Sequence, residues 1–220
     1  MRLLLLRHGQ TPANVEGLLD TAHPGPGLTT LGDRQAAAVP EALRDRQVDA
    51  IAVSPLVRTA RTAAPLARAR GIEPLMVDGL QEVEAGELEM AGDHESHLRY
   101  LGTVFAWARG EVGRVMPGGP DGRAFLGRYD GAVAAIAARG WDSVVVVSHG
   151  AAIRAWVSAR VAGVDVDHVE RTALANTGLV EIDGDPVGGW RLVAWSAGPV
   201  GGLELDAPAA DDPTGEPVED

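Results

Sequence analysis

Two histidines stand where a strand-like apolar run breaks into a glycine turn. His8 follows Leu3-Leu4-Leu5-Leu6-Arg7 and leads into Gly9-Gln10-Thr11, and His149 follows Val144-Val145-Val146-Val147-Ser148 and leads into Gly150. Imidazole changes charge near neutral pH and can attack, donate or accept a proton. Arg7, directly before the first histidine, adds a planar fork that can bind phosphate through two parallel hydrogen bonds. Arg58 falls in the first turn of a helix opened by Ser54-Pro55, where helix N-termini also favour an anion. Together these residues suit a pocket that binds a phosphate and attacks it.

The elements that must deliver them alternate between strand and helix. Arg2–Leu6 reads as a first strand, and Thr30 offers an N-cap for a helix over Leu31–Arg46 with Ala36, Val39 and Leu43 on one face. Pro40 should kink or break that helix. A strand over Asp49–Val53 precedes Ser54, an N-cap with Pro55 at the first helical position, and a helix to about Arg70. Glu73–Val77 reads as a third strand, and residues 80–140 as helix interrupted at Met116-Pro117-Gly118-Gly119-Pro120. Ser143–Val147 is apolar throughout, as a strand covered on both faces requires. The following helix puts Ile153, Trp156, Val157 and Val161 on one stripe, and strands near Gly178–Ile182 and Trp190–Trp195 form a hairpin. The order predicts an α/β three-layer sandwich, a mostly parallel central sheet with helices on both faces. Ligands of such sheets bind outside the carboxyl ends of the strands, where His8 and His149 fall.

Composition narrows the chemistry. The chain of 220 residues has no cysteine, which removes disulfides, zinc-thiolate sites and thiol nucleophiles. Its nineteen basic residues are all arginine, so a Walker-type lysine loop and Schiff-base chemistry are excluded. A net charge of −12 argues against a nucleic-acid surface, which needs basic stripes. Seven of the acids lie between Glu204 and Asp220 with no base among them, and three prolines interrupt the same stretch. Residues 204–220 therefore read as a disordered or loosely attached acidic tail, dispensable for folding, behind a single domain over 1–203. Leu3–Leu6 is too short for a signal-peptide apolar region and no stretch reaches a membrane span, so a cytoplasmic protein without membrane attachment is expected.

The segment Arg7-His8-Gly9-Gln10-Thr11 with Asn14 resembles the signature of the histidine phosphatase superfamily, the phosphoglycerate-mutase-like proteins. Four further segments match it in order: Leu28-Thr29-x-Leu31-Gly32-x-x-Gln35-Ala36, Ser54-Pro55-x-x-Arg58-Thr59-x-x-Thr62-Ala63, Leu80-x-Glu82-x-x-x-Gly86-x-Leu88-Glu89, and Ser148-His149-Gly150. The resemblance spans about residues 1–196 and implies a phosphoglycerate-mutase-like fold. It implies His8 as nucleophile forming a phosphohistidine, with Arg7, Arg58 and His149 holding the phosphoryl oxygens and Asn14 adding a neutral donor. Glu82 would protonate the leaving oxygen and then activate water; Glu84 is the nearest rival for that role. Two segments depart from the family pattern, Leu88-Glu89-Met90-Ala91-Gly92 and Gly118-Gly119-Pro120-Asp121, both in the insertion expected to cover the pocket.

The resemblance implies a phosphatase of small phosphorylated substrates that needs no cofactor and no metal. His94 and His97 are spaced to share a helix face, but no third ligand stands near them in sequence. A mutase returning the phosphoryl group to its substrate is the nearest alternative. The interval from Glu82 to His149, shorter than the insertion typical of dedicated glycolytic mutases, favours hydrolysis. A catalytically weak family member used as a binding or regulatory domain is a third reading, and a homodimer stays open.

Overall fold

The computed structural model describes residues 1–207 and 212–215. The chain runs β1 (Arg2–Arg7), α1 (Pro12–Glu16), α2 (Thr30–Ala42), β2 (Ala50–Val53), α3 (Val57–Arg70), β3 (Leu75–Met76), α4 (His94–Ala108) and α5 (Gly122–Ala137). It continues through β4 (Ser143–Ser148), α6 (Gly150–Arg160), β5 (Val161–Ala162), α7 (Val166–Glu170), β6 (Leu179–Asp185) and β7 (Gly189–Ser196). The seven strands form one sheet in the order β3-β2-β4-β1-β6-β7-β5, in which only β6 runs against the others.

Successive strand side chains point to opposite faces, and here both faces are covered. Leu3, Leu5, Ala50, Ala52, Val144 and Val146 pack beneath α4, α5 and α6, with Tyr100, Phe125, Tyr129 and Trp156 as the large contributors. Leu4, Leu6, Ile51, Val53, Val145 and Val147 meet α2 and α3 through Val39, Ala63 and Leu66. All four leucines of β1 are fully buried, each stabilising by about 1.5–3 kcal/mol relative to exposure. The continuous Leu and Val runs are thus the price of a strand with no wet side, and the three-layer α/β sandwich expected from sequence is the fold.

The differences lie at element ends. α2 is capped by Thr29, whose hydroxyl accepts from Gly32 N at 3.0 Å, and it passes through Pro40 to end at Ala42, short of the expected Arg46. β3 keeps only two residues of the expected 73–77 strand. Ser54 does not cap α3: the helix starts after Leu56 with no side-chain cap, and the Ser54 hydroxyl meets the site described below. Among the described residues no helix is long and apolar enough to cross a membrane.

The C-terminal region departs most. Leu203–Leu205 forms a short 3-10 turn whose Leu205 carbonyl accepts from the buried Gln35 amide at 2.9 Å. Asp212 and Thr214 are buried against Arg7. For these residues the loosely attached tail is not what the structure holds; residues 208–211 and 216–220, also part of that expectation, lie outside the described residues.

Candidate active site

β1 and β4 pair in parallel with Arg7 opposite Ser148, and His8 N–H donates to the Ser148 carbonyl at 3.0 Å. Both strands therefore end at one level, and their histidines emerge side by side with ring centroids 5.2 Å apart. After this edge the chain turns to opposite faces of the sheet, α2 to one and α6 to the other, which makes the gap between β1 and β4 a topological switch point.

His8 is buried, and its Nδ1 lies 2.9 Å from the Gly9 carbonyl oxygen. A carbonyl only accepts, so Nδ1 carries the proton and Nε2 keeps the lone pair. Burial first, then the charges of Arg58 and Arg7, hold the His8 pKa well below its usual 6.5. Gly9 N–H donates to Thr62 Oγ1 at 2.9 Å, and Asn176 Nδ2 to the His8 carbonyl at 3.2 Å, which fixes the turn.

His149 is held differently. Arg58 Nε donates to its Nδ1 at 3.3 Å, so the proton sits on Nε2 and is donated to Ser54 Oγ at 2.7 Å. Its pKa is also well below 6.5, through burial and then Arg58. Arg58, on the first turn of α3, further donates from Nη2 to the Asp20 carbonyl at 3.0 Å, while Nη1 has no hydrogen-bond partner and lies 3.9 Å from Asp20 Oδ1. Gly25, at φ +67, lets the loop backbone pass so close to this guanidinium that an added Cβ would overlap it.

Glu82 is buried where the 79–82 loop meets the start of α6. Its Oε1 accepts from Val83 N at 2.8 Å and Ala152 N at 2.7 Å, and Oε2 from Ala151 N at 3.2 Å. The anion at the N-terminus of α6 is thus this carboxylate. Burial outweighs these bonds and the Arg58 charge, and raises the Glu82 pKa above 4.5, the direction a general acid needs. Arg128 holds the loop by donating to the Gly79 and Gln81 carbonyls at 2.9 Å and the Glu82 carbonyl at 2.8 Å. Glu84 is exposed.

Asn14 completes a capping box with Thr11. Its Oδ1 accepts from Thr11 N at 2.9 Å and Asn176 Nδ2 at 3.3 Å, so the amide end left to offer a ligand is the NH2. His8, Asn14, Arg58 and Glu82 line one cavity together with Thr11, Ala13, Leu18, Asp20 and Thr214. That cavity is about 10 Å³, room for roughly one water. A larger cavity of about 370 Å³, lined by Arg2, Arg46 and Asp183 among others, lies at the opposite edge of the sheet and holds none of these groups.

Arg7 sits behind His8 with its fork already occupied. Nη1 donates to the Leu174 carbonyl at 2.8 Å, and Nη2 to Asp212 and, at 2.9 Å, to Thr214 Oγ1, while Nε has no partner. All six residues singled out from sequence therefore converge on one edge. Sequence reasoning missed Ser54, Thr62 and Arg128 as supports of the site, and Asp212 and Thr214 altogether. Glu89 also has a role in this loop: its carboxylate accepts from Thr21 N at 2.8 Å and Ala22 N at 2.9 Å, fixing the turn that carries Asp20. The His94/His97 pair does not gather a metal site. His97 Nε2 meets the Gly17 carbonyl at 2.8 Å, and no group of three or more potential ligands stands together among the described residues.

A doubly covered sheet with paired strand-end histidines, flanked by arginines and a buried glutamate, defines the class. The family model of the histidine phosphatase superfamily (branch 1) matches residues 3–198, and the chain belongs to that superfamily. The PE-PGRS family protein PE_PGRS11 of Mycobacterium tuberculosis is 40% identical over 216 residues, which cover 91% of this chain and 37% of that protein. The chain thus spans little more than a third of that relative. A Salmonella choleraesuis protein named "Probable phosphoglycerate mutase GpmB" is 31% identical over 222 residues, 96% of this chain and 98% of that one. Among solved structures, a mycobacterial glucosyl-3-phosphoglycerate phosphatase superposes with a TM-score of 0.72 at 28% identity, covering 89% of this chain and 98% of that chain. The alpha-ribazole phosphatase of Shigella flexneri gives 0.70 at 25% identity, covering 89% and 96%.

Proposed function

We propose that the chain is a metal-independent phosphatase of small phosphomonoesters, working through a phosphohistidine on His8. The observation that carries this reading is the Nδ1 bond of His8 to the Gly9 carbonyl, which leaves Nε2 as a neutral nucleophile beside Arg58 and Glu82. Nε2 attacks phosphorus and the bond to the leaving oxygen breaks. Glu82, its pKa raised by burial, gives that oxygen its proton. The resulting carboxylate then takes a proton from water as the water attacks phosphorus, the P–N bond breaks, and Nε2 recovers its lone pair. Arg58 and Arg7 supply the positive charge that a two-metal phosphatase takes from its ions. The glucosyl-3-phosphoglycerate and alpha-ribazole phosphatases among the structural neighbours support hydrolysis and a small organic phosphate as substrate class.

The test is a brief reaction with ³²P-labelled substrates, quenched in alkali, where phosphohistidine survives. Label should appear on His8 and free phosphate should follow, in the presence of a chelator as in its absence. Label on another residue, or a loss on chelation restored by a divalent ion, would sink this mechanism. The mutase named among the relatives would show itself as interconversion of 2- and 3-phosphoglycerate with little free phosphate.

A further inference from the structure

We infer that residues 212–215 are an internal ligand of the phosphate site, competing with the substrate phosphoryl group for Arg7. The inference rests on the phosphate-binding reading above and adds to it an occupant supplied by the chain itself.

The segment lies in a seat built for it. The Asp212 carboxylate and the Thr214 hydroxyl both accept from Arg7 Nη2. The Thr214 carbonyl accepts from Arg154 Nη1 at 3.3 Å, and the Gly215 carbonyl from Leu174 N at 2.7 Å. Two glycines make the approach possible: a Cβ on Gly150 would strike the Thr214 carbonyl, and one on Gly215 would overlap the Arg7 guanidinium. Asp212, Thr214 and Arg7 are all at least nine-tenths buried. One Asp212 oxygen and the Thr214 hydroxyl thus give Nη2 two oxygen acceptors, the kind of partner that phosphate oxygens would offer it, while the second Asp212 oxygen accepts from Thr214.

Two consequences conflict with an enzyme ready to receive its substrate. Thr214 forms part of the wall of the His8 cavity, and the roughly 10 Å³ left there admits a water but no phosphoryl group. Three carboxylates, Asp20, Glu82 and Asp212, stand around two guanidiniums, so a phosphate dianion would enter where the Arg7 charge is already met. Departure of the segment removes one negative charge, frees Nη2 and opens the wall in one movement. The structure is therefore the closed state of a displaceable strap, and substrate binding includes the work of lifting it.

The experiment measures the dissociation constant of inorganic phosphate by calorimetry, and separately KM and kcat with p-nitrophenyl phosphate. The proteins are the full chain, Asp212→Asn, Gly215→Ala and a chain ending at Ala207. Asp212→Asn removes the competing charge and Gly215→Ala unseats the strap with that charge retained. Each should bind phosphate at least fivefold tighter, with KM lowered in parallel and kcat changed less. A synthetic peptide of residues 206–216 should weaken phosphate binding to the shortened chain competitively. If the shortened chain does not fold, the two full-length variants decide. Unchanged or weaker phosphate binding in variants that keep the parental thermal midpoint overturns the proposal and makes Asp212 a positioning residue for Arg7. The binding readout separates the two ideas: tighter phosphate binding without turnover of any phosphomonoester keeps the strap and removes the phosphatase, and normal turnover with unaltered phosphate affinity does the reverse.

Discussion

His8 and His149 come from the same sequence device, an apolar strand spilling into a glycine turn, yet their surroundings give them opposite assignments. His8 spends Nδ1 on the carbonyl of its own neighbour, Gly9, and keeps Nε2. His149 has both nitrogens engaged with residues of another segment, Nδ1 with Arg58 and Nε2 with Ser54. In the phosphatase proposed above, a local bond readies His8 as the nucleophile, and a web of long-range bonds fixes His149 as a wall against it. Identical delivery by the backbone therefore does not imply identical chemistry; the partners of the second nitrogen decide.

The sharpest way to break this contrast is to remove each ring in turn. His8→Ala should abolish phosphohistidine formation and lower kcat/KM on the order of 10⁴-fold or more, as loss of a covalent nucleophile does. His149→Ala should cost less, roughly 10²–10³-fold, because it removes the ring that holds the charge-stabilising Arg58 through Nε, and should leave label on His8. Equal losses, or label on His149, would reverse the assignment.

Glu82 tests the same contrast from the acid side. Glu82→Gln keeps the shape and removes the proton, so kcat/KM for an alkyl phosphate should fall roughly 10²–10⁴-fold. An aryl phosphate, whose phenolate leaves without help, should lose much less. Equal losses with both would mean that Glu82 is not the acid, and its hydrogen bonds to Val83, Ala151 and Ala152 would still hold the loop to α6.

The convergence of these residues was legible because each proposed catalytic residue sits within two residues of a strand end or in a spaced motif, and local pattern fixes both. Leu80-x-Glu82 chose the buried glutamate over the exposed Glu84. What stayed hidden was held by partners far along the chain. Ser54 reads as a helix cap, but the helix starts three residues later and the hydroxyl meets His149 across 95 residues. Residues 212–215 read as tail because proline and acids bury little apolar surface. Their own carbonyls and Gly215 meet a seat made of the Leu174 amide, Gly150 and two arginines, a combination without hydrophobic periodicity.

Both rings also set how stability responds to acid. Each His pKa is lowered by folding from 6.5, so below that pH the unfolded chain takes up protons that the folded chain refuses. Stability contributed by the neutral rings is complete above about pH 6.5 and should fall with further acidification, by up to about 1.4 kcal/mol per pH unit per ring. Glu82, raised above 4.5, acts in the opposite direction just above that value. Thermal midpoints between pH 7 and 5 should drop more steeply for the parent than for a His8→Gln, His149→Gln double variant. Parallel slopes would show that neither ring is held neutral, and the single variants would show which ring carries more of the effect.

The smallest expected effect probes the web around His149 alone. Ser54→Ala removes the acceptor 2.7 Å from Nε2 and leaves Arg58 on Nδ1. One lost hydrogen bond in a buried site is worth about 0.5–1.5 kcal/mol net, so kcat/KM should fall only roughly 2- to 10-fold. The more telling readout is ¹⁵N chemical shift. With its Nε2 proton unmatched, the His149 ring should shift toward the other tautomer or rotate away from Arg58, while His8, bonded to its own backbone, should keep its signature. If both rings respond together, the two sites are one coupled unit and the division of labour drawn above does not hold. If only His149 responds, the wall can be altered without touching the nucleophile, as separate partners for the two second nitrogens require.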